Sequence, residues 1–261
     1  MKLKLIITSI ISALSLTACF EPAENHRTET SGITSSVTTA ETTRPEVTAI
    51  SYTVDPSKPL VALTFDDGPN TSTTPLVLKK LEQYQVPASF FLIGNNITSE
   101  TEKVVKKAYN MGCEINNHSR SHSYMTDLTP DQIKEEVAFV SDKVEEIIGV
   151  PTKFFRPPYI AVDQEMYDNI DMPFICGVGC NDWDSKVSVD ERVEKTVSQV
   201  KDGTIILLHD SVGNLKTVTA LDSIIPQLQE QGYQFVTVSE LFEAKGIEIS
   251  PDDNNLYSYL Q

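Results

Sequence analysis

From residue 60 onward the chain alternates between two hydrophobic periods. Residues 60–65, Leu-Val-Ala-Leu-Thr-Phe, form an unbroken apolar run of strand length. Residues 73–83 then carry Leu76, Leu78 and Leu81 among lysines at helical spacing. Residues 88–93 read as a strand, 99–111 as a helix and 113–116 as a brief strand. Thr129-Pro130-Asp131-Gln132 is a helix start, with an N-cap threonine, proline at the first helical position and a glutamine placed for a capping box. The helix it opens runs through Ile133, Val137, Val140, Val144 and Ile147 and stops at Gly149. Further strands are expected at 153–156, 174–178, 204–208 and 235–238, with helices opened by Ser188-x-x-Glu191 and spanning 215–231. This alternation predicts parallel strands joined by crossover helices, hence an α/β sheet or barrel. No internal repeat is visible.

The chain before residue 60 has a different character. Lys2 and Lys4 precede an apolar run over 5–16, and Leu16-Thr17-Ala18 places small residues just before Cys19. That is the layout of a secretory signal, too short for a spanning helix. The ending resembles a bacterial lipobox, which implies cleavage before Cys19 and a lipid on its thiol; the alternative is an ordinary secretory signal with an incidental cysteine. About a third of residues 20–50 are Ser or Thr, with few large apolar side chains. Such a stretch cannot bury enough surface to offset its ordering entropy. The expected organisation is a signal peptide at 1–18, a lipid-attached disordered tether at 19–51, a folded domain at 52–245 and a polar tail at 246–261. The domain is then held extracytoplasmically at the membrane surface, facing the cell wall or exterior.

Composition narrows the classes. With 40% hydrophobic residues in a chain of 261, a sizeable core is available. The 37 acidic against 21 basic side chains give −16, and loss of residues 1–18 removes two lysines and no acids, giving −18. A pI near 4.6 excludes a nucleic-acid binder, whose phosphate contacts need clustered Lys and Arg. Four cysteines in this length exclude a disulfide scaffold.

The chemistry falls where strands end. Asp66-Asp67-Gly68-Pro69 follows the first strand, His118 and His122 the third, Arg156-Pro157-Pro158-Tyr159 the fourth, Asp182-Trp183 the fifth and His209-Asp210 the sixth. In parallel α/β folds that rim is where ligands bind. His118 and His122 stand four apart, so one helical turn would aim both imidazoles at one point. A carboxylate would complete a His₂Asp set with an open position, as in catalytic metal sites. Asp66 and Asp67, pointing opposite ways on extended chain, suit two jobs: one ligates, the other serves as general base. A pair that merely caps the next helix is the bland alternative.

Thr64-Phe65-Asp66-Asp67-Gly68-Pro69, Asn117-His118-Ser119-Arg120-Ser121-His122, Arg156-Pro157-Pro158-Tyr159, Asp182-Trp183 and Leu207-Leu208-His209 together resemble the ordered motifs of the polysaccharide deacetylases, the NodB-like carbohydrate esterases of family 4. The resemblance covers about residues 58–245. It implies a distorted (β/α) barrel and metal-dependent removal of acetyl groups from a polymer such as peptidoglycan, a chitin-like glycan or xylan. Asp67, His118 and His122 would bind one divalent ion, zinc first, with cobalt, nickel or manganese as alternatives. Asp66 would be the base, held by Arg156, and His209 the acid, oriented by Asp182. Tyr159, Trp183, Leu207 and Pro158 would shape the substrate groove, and the Tyr159 backbone N–H would help to bind the oxyanion. Base and acid then coexist near neutral pH, one beside a cation and the other beside a carboxylate.

Two positions depart from the family pattern. An acid usual three residues before Asp182 is Gly179, and the glycine usual after Arg-Pro-Pro-Tyr is Ile160. Cys113, Cys176 and Cys180 are expected to be free, since four residues of extended chain span about 13 Å, too far for a bridge. Trp183 is either a sugar platform or a core aromatic. The leading reading is a monomeric, lipid-anchored N-deacetylase; an O-deacetylase with the same site and a non-catalytic glycan-binding module are the competitors. Strong negative charge suits a neutral glycan, with the lipid providing retention.

Overall fold

The computed structural model describes residues 49–250 and 254–261; the segment read as signal peptide and the tether up to residue 48, Cys19 included, lie outside the described residues. At the tether's expected end Ile50 is buried and its N–H donates to the Met111 carbonyl at 3.0 Å, so the folded part begins earlier than residue 52. Six strand positions form the wall of the domain, and the buried apolar side chains gather in three clusters about it. β1 (Leu60–Asp66) is buried at every residue, as expected of a parallel strand covered on both faces. It pairs in parallel with β2 (Ser89–Leu92) and with β6 (Thr204–His209). β2 continues to β3 (Glu114–Asn117), and β6 to β5 (Val178–Gly179). Single bridges Asn117↔Phe155 and Phe155↔Phe174 carry the circuit from β3 to β4 (Phe174–Ile175). Since β4 leads into β5 through Cys176 and Gly177, the circuit returns on itself. This is the distorted (β/α) barrel that the resemblance implies.

The helices follow their local signals. α1 (Thr74–Tyr84) and α2 (Glu102–Asn110) pack apolar faces against β1 and β2. Both halves of the Thr129/Gln132 capping box start α3 (Pro130–Ile148), which ends on Gly149 in the left-handed region. α4 (Gln164–Asn169) is a short helix that the hydrophobic pattern does not announce. The Ser188/Glu191 box starts α5 (Val189–Gln199), and α6 (Leu215–Glu230) follows β6. β7 (Gln234–Val236) is shorter than expected, because a third capping box, Thr237 with Glu240, starts α7 (Val238–Ala244) there. No helix among the described residues is long and apolar enough to cross a membrane.

Three expectations need correction. Residues 153–156 do not form a strand: only Phe155 pairs, because Pro157 and Pro158 lack the N–H groups a ladder needs. The strand expected at 174–178 is split, since Gly177 takes φ 122° and a Cβ there would lie 2.9 Å from that of Leu207. Inside the segment read as a polar tail, β8 (Leu256–Tyr257) pairs with β4, and Leu260 is buried. This segment supplies what the split leaves unpaired: Cys176 N–H donates to Tyr257 C=O at 2.8 Å, and Ile205 N–H to Ser258 C=O at 3.0 Å.

Gly203 closes that seam. Its φ is +82°, and a Cβ would fall 1.8 Å from the Leu260 carbonyl oxygen. Gly203→Ala should therefore cost at least about 2 kcal/mol in urea unfolding. In a chain lacking residues 254–261 the same change should cost only about 1 kcal/mol, the left-handed backbone penalty alone. Equal costs in both backgrounds would show that the tail does not pack there.

Candidate active site

The C-terminal ends of β1, β3 and β6 deliver the charged residues to one cleft of about 580 Å³. β1 ends at Asp66, and Asp67 turns the chain with φ 74°. Gly68 follows because nothing larger fits: a Cβ would lie 2.8 Å from both carboxylate oxygens of Asp210. Asp210 N–H donates to Asp66 C=O at 3.0 Å, lacing β1 to the end of β6. Burial pushes the Asp210 carboxyl up to about 7, and the Thr74 hydroxyl donates to it.

Asp67, His118 and His122 present three ligand atoms within 4.8 Å of one another. Asp67 Oδ1 lies 3.7 Å from His118 Nε2 and 3.5 Å from His122 Nε2. That oxygen is buried and has no hydrogen-bond partner, a cost that ligation of a cation would remove. His118 Nδ1–H donates to the Arg156 carbonyl at 2.7 Å, which leaves Nε2 as a lone pair facing Asp67. Burial lowers the affinity of His118 for a proton and neighbouring His122 lowers it further, against the opposing pull of Asp66 and Asp67. A neutral imidazole is the ligating form. The residues present fit a divalent ion.

The geometry differs from expectation in two respects. His118 and His122 meet across an irregular loop, not a helical turn; Ser119 and His122 both take positive φ (63° and 59°). The loop is tied by Ser119 N–H to Asn117 Oδ1 and by His122 N–H to Ser119 Oγ, both at 3.0 Å. Nor do Asp66 and Asp67 diverge as on extended chain. The left-handed turn at Asp67 brings both to one centre, with Asp66 Oδ2 3.9 Å from His118 Nε2.

Arg156, fully buried, donates from Nη1 to Asp66 Oδ1 at 2.5 Å and to Thr64 Oγ1 at 2.9 Å, with its guanidinium 4.0 Å from the centre of the Phe91 ring. On the neighbouring strand His209 is the register partner of Asp66. Its Nδ1–H donates to Asp182 Oδ1 at 2.7 Å, and its backbone N–H to Asp182 Oδ2 at 2.8 Å. Burial alone would depress the His209 imidazole. The hydrogen bond and charge of Asp182, with Asp66 and Asp67, outweigh it and push the value up to about 9. Burial works against the Asp182 carboxylate, yet its bonds from His209 and Thr217 hold it below the usual range.

Tyr159 and Trp183 stand exposed at the cleft, 54% and 66%, so Trp183 is not a core aromatic. Leu207 and Ile160 also line it; Pro158 is buried, and Pro157 takes its place at the wall. Cys113, Cys176 and Cys180 are free, and burial raises the Cys113 thiol to about 12. Sequence reading missed Tyr124, whose half-exposed ring stacks on Tyr159 at 4.0 Å between centroids and 16° between planes. Its position two residues after His122 was the available signal. Thr64, which holds Arg156, stands inside the Thr64–Pro69 motif, yet sequence reading assigns it no role; Thr217, which holds Asp182, carries no sequence signal because it acts from a distant helix.

A family model described as polysaccharide deacetylase matches residues 53–171. A bifunctional xylanase/deacetylase of Pseudobutyrivibrio xylanivorans is 53% identical over 72% of this chain and 31% of its own length. A peptidoglycan-N-acetylglucosamine deacetylase of Bacillus cereus is 33% identical over 75% of this chain and 94% of its own length. A family 4 acetyl xylan esterase from Clostridium thermocellum, solved in complex with a cobalt ion, superposes with a TM-score of 0.76 at 40% identity, covering 77% of this chain and 98% of that one. The chain spans about a third of the length of the first of these relatives.

Because its folded value is raised from 6.5 to about 9, the His209 proton contributes stability that is fully present below pH 6.5 and lost as pH rises through 9. NMR titration should place His209 near 9 and, in Asp182→Asn, return it toward or below 6.5. A titration unmoved by that substitution would remove Asp182 as the cause.

Proposed function

The chain belongs to the polysaccharide deacetylase family, and from that premise we propose that it hydrolyses N-acetyl groups on a cell-envelope or extracellular polysaccharide. The observation that carries this reading is the orphaned Asp67 oxygen between two imidazoles, set beside the Asp182–His209 pair. Asp67, His118 and His122 would hold one divalent ion, zinc first by its preference for His₂-carboxylate sets. When bound, that ion supplies Lewis acidity toward the acetyl carbonyl and toward water.

The chain's own residues do the rest. Asp66 accepts a proton from the attacking water, and Arg156 holds the carboxylate facing the cleft. Because Asp182 engages Nδ1, the other ring nitrogen of His209 is left to donate to the departing nitrogen as its bond to the acetyl carbon breaks. Acetate and a free amine are the products. The backbone N–H of Tyr159 serves the developing oxyanion. Tyr159, Trp183 and Tyr124 offer exposed rings to sugar faces. The net charge of −16 favours an uncharged glycan over an anionic one. A lipid on Cys19 and the tether after it would keep the domain extracytoplasmic at the membrane.

A second reading is favoured by the relatives named as xylanase/deacetylase and acetyl xylan esterase: cleavage of O-acetyl esters from xylan by the same site. An ester has a better leaving group and depends less on an acid. Acetate release from peptidoglycan, chitooligosaccharide and acetylxylan, with defined metals and with a chelator, separates the readings. Release should stop with chelator and return with divalent metal; none from any polymer would indicate a glycan-binding module. His209→Ala should slow amide cleavage by ~10²–10⁴-fold and ester cleavage much less. Equal losses on both would contradict its role as acid.

A further inference from the structure

Arg192 on α5 is 1% exposed, yet its four hydrogen bonds end on uncharged oxygens. They are the carbonyls of Val187 (3.3 Å) and Asp184 (3.2 Å), Asn214 Oδ1 (2.6 Å) and Thr217 Oγ1 (2.7 Å). A desolvated guanidinium with no anion in contact is costly, so the next shell is informative. Both side-chain acceptors pass the interaction on to one place. Thr217 Oγ–H donates to Asp182 Oδ2 at 2.6 Å; Asn214 Nδ2–H donates to the same oxygen at 3.3 Å and to the His209 carbonyl at 2.9 Å.

We propose that Arg192 is a positioning residue for the acid pair, a buried cation that acts through Thr217 and Asn214 to fix the Asp182 carboxylate against the His209 imidazole. Nη1 fixes the hydroxyl as acceptor, so its proton must point at Asp182; the same contact fixes the Asn214 amide with its nitrogen toward Asp182. Oδ2 is then fully used by Thr217, Asn214 and the His209 backbone N–H, which leaves Oδ1 for His209 Nδ1. Both oxygens of the buried carboxylate are thereby engaged, and Gly179 offers no second acid on β5 that could replace it.

The proposal rests on the deacetylase reading, and the test separates the two. kcat and KM are measured on a chitooligosaccharide amide and on 4-nitrophenyl acetate, whose leaving group needs no acid, for wild type, Arg192→Met, Arg192→Lys, Thr217→Val and Thr217→Ser. Arg192→Met and Thr217→Val should each lower kcat on the amide about tenfold more than on the aryl ester, with KM little changed, and Thr217→Ser should recover most of the loss. Thr217→Val tests the hydroxyl link alone. Arg192→Lys keeps a buried cation but loses the fork that meets Asn214 and Thr217 together; it should show a smaller selective loss on the amide, and it decides the role of Arg192 where Arg192→Met folds poorly. In parallel, the Nδ1–H proton of His209, hydrogen-bonded to Asp182 at 2.7 Å, should exchange with solvent faster in Thr217→Val and Arg192→Met than in wild type. Equal losses on both substrates, or an unaltered Nδ1–H exchange, would overturn the proposal. A wild type that cleaves neither of these substrates, nor peptidoglycan or acetylxylan, would instead overturn the deacetylase reading, and the exchange measurement would then decide the role of Arg192 alone.

Discussion

The structure turns on a buried charge pair. Arg156 has no exposed surface, and its guanidinium meets Asp66 at 2.5 Å, roofed by the Phe91 ring and steadied by Thr64. Taking two ions out of water costs several kcal/mol each, and such pairs seldom repay this in stability. What the pair supplies is orientation. Asp66 is held by one oxygen, while the other stays 3.9 Å from His118 at the cleft. The barrel makes this possible, because β1 is buried along its whole length and Thr64, two residues before Asp66, faces the same side of the strand.

Parallel register does the rest of the assembly. Asp66 and His209 are paired residues on adjacent strands, so the two groups read as base and acid arrive at one level of the sheet. Each has its own fixed counter-charge, Arg156 for the first and Asp182 for the second. Asp67 projects between them toward the two histidines. The order of charges across the cleft follows from strand order, not from sequence proximity.

Much of this was legible in the chain. Buried parallel strands show as continuous apolar runs, and the capping boxes at Thr129 and Ser188 are local signals that need no tertiary help. Strand-end chemistry put Asp66, Asp67, His118, His122 and His209 at one rim. The failures were tertiary. Phe155 reads as part of a strand but pairs alone; Gly177 breaks a strand because Leu207 crowds it. The last residues look polar, yet Leu256 and Leu260 fill the seam that this break opens. The histidine loop imitates helical spacing through two positive-φ residues. The departures are also explained. Ile160 has φ 55°, a region that favours glycine, which accounts for the usual residue there. A Cβ at Gly179 would meet only ordinary contacts, so its absence widens the cleft wall and leaves Asp182 alone with His209.

The most direct measurement is anomalous diffraction at the zinc or cobalt edge from crystals grown with that ion. One strong peak should lie about 2.0–2.2 Å from Asp67 Oδ1, His118 Nε2 and His122 Nε2, with Asp66 still on Arg156. A peak that engages Asp66 in place of Asp67, or no peak at this centre with the ion in excess, would contradict the assignment of ligand and base on which the chemistry depends.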